Sequence, residues 1–138
     1  MSFVPELSDF LGEWRINRRI EDRLSSQQGR IAGQAWFRPD GPVLRYREEG
    51  LLRLGSAPAM TAVRDYIWHK DGERIAVEYG DGRPFHDFDP ATPAACHFCD
   101  PDDYHVRYDF SRWPDWQAEW TVSGPRKDYT MISRYVRP

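Results

Sequence analysis

Tyr104-His105-Val106-Arg107-Tyr108-Asp109-Phe110 carries a ring or a branched aliphatic at every even position and a charged or imidazole side chain at every odd one. Successive side chains of an extended chain point to opposite sides, so a period of two marks a strand with one buried face. Trp116-Gln117-Ala118-Glu119-Trp120-Thr121-Val122-Ser123 reads the same way, with Trp116, Ala118, Trp120 and Val122 on one face. Ser111-Arg112-Trp113-Pro114-Asp115 supplies turn chemistry between them. The two segments therefore predict a hairpin whose aromatic rows pack together as core.

The same alternation extends outward from this hairpin. Trp14, Ile16 and Ile20 share one face of Gly12 to Glu21, and Ile75, Val77 and Tyr79 share one face of Arg74 to Tyr79. Less regular strands cover about residues 29 to 38, 42 to 54, 60 to 70, 83 to 88 and 126 to 137, bounded by turns such as Lys70-Asp71-Gly72 and Gly80-Asp81-Gly82. The run from Cys96 to Asp100 reads as either a tenth strand or a loop. Pro5 to Leu11 reads as one helical turn. The expectation is an all-β fold: a single antiparallel lipocalin-like (calycin) β-barrel of about nine or ten strands with a short N-terminal helical turn, with a sandwich as the alternative. A chain of 138 residues fits one such domain.

Composition narrows the function classes. A net charge of -3, from 19 basic and 22 acidic residues, provides no field to draw a polyanion or a lipid surface, so neither nucleic acid nor membrane is expected as a partner. The opening Met1-Ser2-Phe3-Val4-Pro5-Glu6 lacks the basic and apolar regions of a signal peptide, and no apolar run approaches membrane-spanning length, which predicts a cytoplasmic protein with free thiols at Cys96 and Cys99.

Phe10-Leu11-Gly12-Glu13-Trp14 resembles the Gly-x-Trp opening of lipocalin and fatty-acid-binding barrels. In those barrels the Trp closes one end and a basic residue of the last strand packs on its ring. The resemblance implies that role for Arg134 or Arg137. Gly82-Arg83-Pro84-Phe85-His86, His97-Phe98-Cys99-Asp100-Pro101-Asp102-Asp103-Tyr104, Trp120 to Tyr129 with its Gly124-Pro125-Arg126-Lys127-Asp128-Tyr129 stretch, and Ser133-Arg134-Tyr135 look like the bacterial and fungal domain-of-unknown-function family numbered 6314. That resemblance spans nearly the full chain and implies a calycin-like barrel without an established activity.

Four groups of residues carry candidate chemistry. His86, His97, Tyr104, Arg126 and Tyr129, joined by Arg18, Tyr46 and Glu48, would make a polar lumen able to orient a small, partly apolar ligand with an anionic or hydrogen-bonding end. Arg126 is the expected anion contact, although its segment also reads as a solvated turn. Cys96, His97, Cys99, Asp102, Asp103 and His105 are metal-ligand types, but one Cys-x-x-Cys pair without a second is incomplete, and no metal is expected. A thiol beside an imidazole, at Cys96 or Cys99, would be nucleophilic. His69, His86, His97 and His105 are the four histidines available to haem, none in a diagnostic pattern, so no cofactor is assigned. Three readings stay open: a ligand-binding module, an enzyme using His97 or His86 for proton transfer beside Tyr and Arg groups, and a ring-filled structural barrel whose outer edge or sheet face pairs with a second copy, a reading to which an exposed edge at Tyr104 to Phe110 would point.

Overall fold

The computed structural model describes residues 3–138 and is built from a 3-10 turn (Leu7–Phe10) and ten strands. These are β1 (Gly12–Asp22), β2 (Gln27–Asp40), β3 (Val43–Leu54), β4 (Met60–Asp71), β5 (Arg74–Tyr79), β6 (Pro84–Phe88), β7 (Ala94–Cys99), β8 (Asp102–Arg112), β9 (Asp115–Gly124) and β10 (Lys127–Val136). All pairings are antiparallel, in the order β6-β5-β4-β3-β2-β1-β10-β9-β8-β7, so each strand lies beside its sequence neighbour and β1 closes on β10. The expected meandering barrel is what forms. The uncertain run at Cys96 is a strand, β7.

Between β6 and β7 no ladder forms among the described residues, which leaves one seam in a nearly closed barrel. The edge strands are therefore β6 and β7. The expectation of an edge at Tyr104 to Phe110 is corrected, because β8 is hydrogen-bonded on both sides, to β7 and to β9. Side chains cross the seam where backbone bonds do not. His86 of β6 meets the Tyr108 hydroxyl of β8 at 2.8 Å, and the Phe85 and Tyr104 rings lie 5.5 Å apart.

Strand parity decides what fills the interior. Trp14, Ile16, Phe37, Tyr46, Trp68, Val77, Phe88, Tyr108, Trp116 and Tyr135 all point inward and are buried, as their alternation requires. One end is plugged. Phe10 of the 3-10 turn is fully buried and packs against Trp68, Trp113 and Trp116 at 5.0–5.3 Å, while the Trp14 indole N–H donates to the Phe10 carbonyl at 2.8 Å. Of the two basic residues implied as the cap on Trp14, Arg137 takes the place: its guanidinium carbon sits 3.7 Å from the ring centroid and it donates to the carbonyls of Asp9, Leu11 and Glu13. Arg134 faces out and is exposed. No helix is long and apolar enough to cross a membrane.

Candidate functional site

Above the aromatic plug, the middle of the lumen holds a charged network. Arg18 on β1 grips Glu48 on β3 through two hydrogen bonds, of 2.6 and 3.0 Å, and gives a third to the Ser133 hydroxyl at 2.7 Å. Tyr46 donates to Glu48 at 2.7 Å and shares a 2.8 Å bond with the Tyr135 hydroxyl. Burial works against the charge of both Arg18 and Glu48, but each holds the other ionised: the guanidinium pKa is raised and the carboxyl lies below its usual range. Burial, followed by the neighbouring Tyr135, raises Tyr46 well above an ordinary phenol. These polar groups satisfy one another and form a floor. Arg64 on β4 lies opposite Glu48 and also contributes to lowering its pKa.

The open end is reached by the β1–β2, β3–β4, β5–β6, β7–β8 and β9–β10 turns. Tyr66, Tyr79, His97, Tyr104, Trp120 and Tyr129 all occupy inward positions there, yet are only half-buried, because solvent enters from above. Phe85 is their centre: its ring lies within 4.8–6.0 Å of Tyr66, Tyr79, His97, Tyr104 and Trp120. A β-bulge explains why Phe85 and His86, neighbours in sequence, are both buried. The β5–β6 register shifts between Val77 and Glu78, so the extra residue Phe85 turns inward beside His86.

His86 is the most unusual group at this site. Its Nε2 meets Tyr108, but its Nδ1 is buried without a partner. Desolvation, with a smaller push from His97, lowers its pKa to about 3. The imidazole is thus neutral near pH 7, and one of its ring nitrogens is buried beside the aromatic cluster without a hydrogen-bond partner.

Two cations face the mouth. Arg64 on β4 is half-buried over the Trp120 ring at 5.7 Å, with only long contacts to the Tyr66 hydroxyl (3.4 Å) and the Met131 sulfur (3.9 Å), and forms no ion pair among the described residues. Lys127 at the start of β10 donates to the Tyr104 hydroxyl and to Asp102, both at 3.2 Å, and these two bonds raise its pKa.

Of the residues expected at the site, His86, His97 and Tyr104 come together around Phe85, and Tyr129 lines the same mouth. Arg126 does not join them. It is exposed in the β9–β10 turn, and Lys127, one residue later and on the inner parity, takes the place expected for it. Arg18, Tyr46 and Glu48 form the floor. The metal-ligand types divide between two faces: Cys96, Asp103 and His105 point outward and His97 inward, and no group of three or more that could hold a metal ion occurs among the described residues. His69 is on the outer wall beside Glu78 at 3.5 Å.

Sequence reading missed Arg64. The signal was its parity with Tyr66 and Trp68, hidden because the opposite row, Val63 and Ile67, is also apolar. A concavity of about 770 Å³ is elsewhere, on the outer wall among Arg19, Arg30, Arg112 and Arg134. It is rimmed by long exposed side chains, with the buried Arg18, Ile31, Trp116 and Tyr135 also among its lining residues.

Comparison with known proteins agrees with the architecture. The model of DUF6314, a family of unknown function, matches residues 10–137. No curated protein sequence matches the chain. Among solved structures, the S-type phycobiliprotein lyase from Guillardia theta superposes with a TM-score of 0.68 over 96% of this chain and 90% of that one, at 13% identity, a likeness of fold.

Proposed function

Because the chain belongs to DUF6314, a family of unknown function, its role must be read from its own side chains, and we propose that it is a small-molecule-binding barrel. The ligand enters the open end, lays an apolar or aromatic body on Tyr66, Phe85, Tyr104 and Trp120, and directs an anionic group to Arg64, with Lys127 at the rim. His86 offers the orphan Nδ1 to a polar atom of the ligand, and His97 and Tyr129 complete the wall.

The observation that carries this reading is the unpaired Arg64 guanidinium inside an aromatic cup. Glu48, the carboxylate opposite Arg64 on β3, is engaged by Arg18 and makes no ion pair with Arg64, so a bound anion would compensate the half-buried guanidinium. The likeness to a phycobiliprotein lyase, itself a barrel that acts on another molecule by its printed name, is in keeping with an open lumen put to use. Binding is favoured over proton transfer at His86, since a group with a pKa of about 3 is a weak base at neutral pH.

Trp120 provides the readout. Titration with anilinonaphthalene sulfonate, an aromatic anion, followed by tryptophan fluorescence, is expected to saturate at one equivalent. Arg64→Gln is expected to weaken it about tenfold, the ~1.4 kcal/mol of one charge-assisted contact, and Arg126→Gln to leave it unchanged. Absence of saturation, or indifference to Arg64→Gln, overturns the proposal.

A further inference from the structure

On the outer face of β7 and β8, back to back with the mouth residues His97 and Tyr104, three polar side chains form a chain of contacts that the proposed ligand site does not use. Cys96 on β7 and His105 on β8 are direct cross-strand partners. The Cys96 Sγ lies 3.1 Å from His105 Nδ1, and His105 Nε2 lies 3.1 Å from the Asp103 carboxylate. A carboxylate only accepts hydrogen bonds, so Nε2 carries the proton of the neutral imidazole, and the Nδ1 lone pair faces the thiol. The direction of proton movement is thereby set, from Cys96 to His105. Arg107, two residues along β8 on the same face, is paired in register with Ala94 of β7 and Glu119 of β9. Phe98, two residues along β7 on the same face, is 66% exposed and offers an apolar ring on that face. The thiol itself is exposed.

We infer that Cys96 is a nucleophilic thiol that forms a mixed disulfide with low-molecular-weight disulfides, with His105 as its base and Asp103 positioning the imidazole. His105 takes the thiol proton as the sulfur attacks one sulfur of the incoming disulfide. A new S–S bond forms, the old one breaks, and the leaving thiolate recovers the proton from His105. One thiol and one disulfide thus give one mixed disulfide and one free thiol, with no other oxidant. Cys99 does not resolve the adduct. Three residues along a strand separate the two cysteines by about 10 Å and turn them to opposite faces, beyond the roughly 7 Å limit for bridging. The product is a stable adduct on β7.

The test is incubation of the whole protein with glutathione disulfide at pH 7.5, with intact mass and peptide mapping over time. The expected result is a single adduct, on Cys96, forming at least ten times faster than any on Cys99. Cys99→Ser retains that rate and Cys96→Ser abolishes it, while His105→Gln slows it about tenfold and Asp103→Asn by a smaller factor. Far-UV circular dichroism checks that each variant keeps its strands. Equal rates at the two cysteines, a Cys96–Cys99 disulfide, or a rate unchanged in a folded His105→Gln protein overturns the inference.

Discussion

Glu48 and His86 are the two residues through which pH and substitution act most directly on this fold. Removing the carboxylate in Glu48→Gln leaves the Arg18 guanidinium buried without its partner, which costs about 3–5 kcal/mol. Replacing both by apolar residues, Arg18→Met with Glu48→Leu, is expected to recover most of that loss, because desolvation of the pair then disappears with it. Chemical denaturation of the three proteins measures both effects. His86 predicts a pH dependence of definite sign. Its pKa is about 3 in the folded protein against 6.5 for the free imidazole, so below pH 6.5 the unfolded chain binds a proton that the folded one refuses. Stability then falls as pH drops from about 6.5 toward 3, at roughly 1.4 kcal/mol per unit. His86→Phe is expected to flatten that slope in urea titrations run at successive pH values. Lys127 in place of Arg126 was legible in retrospect: counting back by twos from the buried Met131 through Tyr129 places Lys127 on the inner row.

Strands were legible wherever one face met solvent and the other the core, because alternation then appears in the residue types, as in β8 and β9. It failed where a strand breaks parity. The bulge opposite Val77 buries both Phe85 and His86, and no pattern of period two predicts two inward neighbours. The seam was equally hidden, since β6 and β7 look like the other strands in sequence and differ only in lacking a ladder between them. On β2 and β3, Gly33 and Gly50 are direct cross-strand partners. A Cβ at Gly33 would collide with the Glu49 backbone carbonyl, and one at Gly50 would come within 2.7 Å of the Ile31 side chain. Backbone cannot yield as a flexible side chain does. Gly33→Ala is therefore expected to destabilise the protein by about 2 kcal/mol or more, from overpacking against backbone, read as a lowered midpoint in urea.

At the scale of the molecule, the barrel is closed at one end by rings and open at the other. Arg137 holds the closed end through the Trp14 ring and three carbonyls, linking the last strand to the first turn. Arg137→Met is expected to cost about 1–3 kcal/mol, measurable as a lower melting temperature with ligand affinity at the other end unchanged. The sequence made the architecture readable through its alternation and its Gly12-Glu13-Trp14 opening. It left the proposed ligand site only half readable, because His86, His97, Tyr104 and Tyr129 announce themselves as polar or aromatic, whereas Arg64 stands out only once Arg18 is seen to hold the Glu48 carboxylate opposite it.

The central claim is that the open end, and not the outer arginine trough, receives a ligand. Backbone amide chemical-shift mapping of the labelled protein titrated with anilinonaphthalene sulfonate tests it most directly. Saturable shifts clustered on Arg64, Tyr66, Phe85, Tyr104 and Trp120 are the predicted result; shifts confined to Arg19, Arg30 and Arg134, or none that saturate, would contradict it.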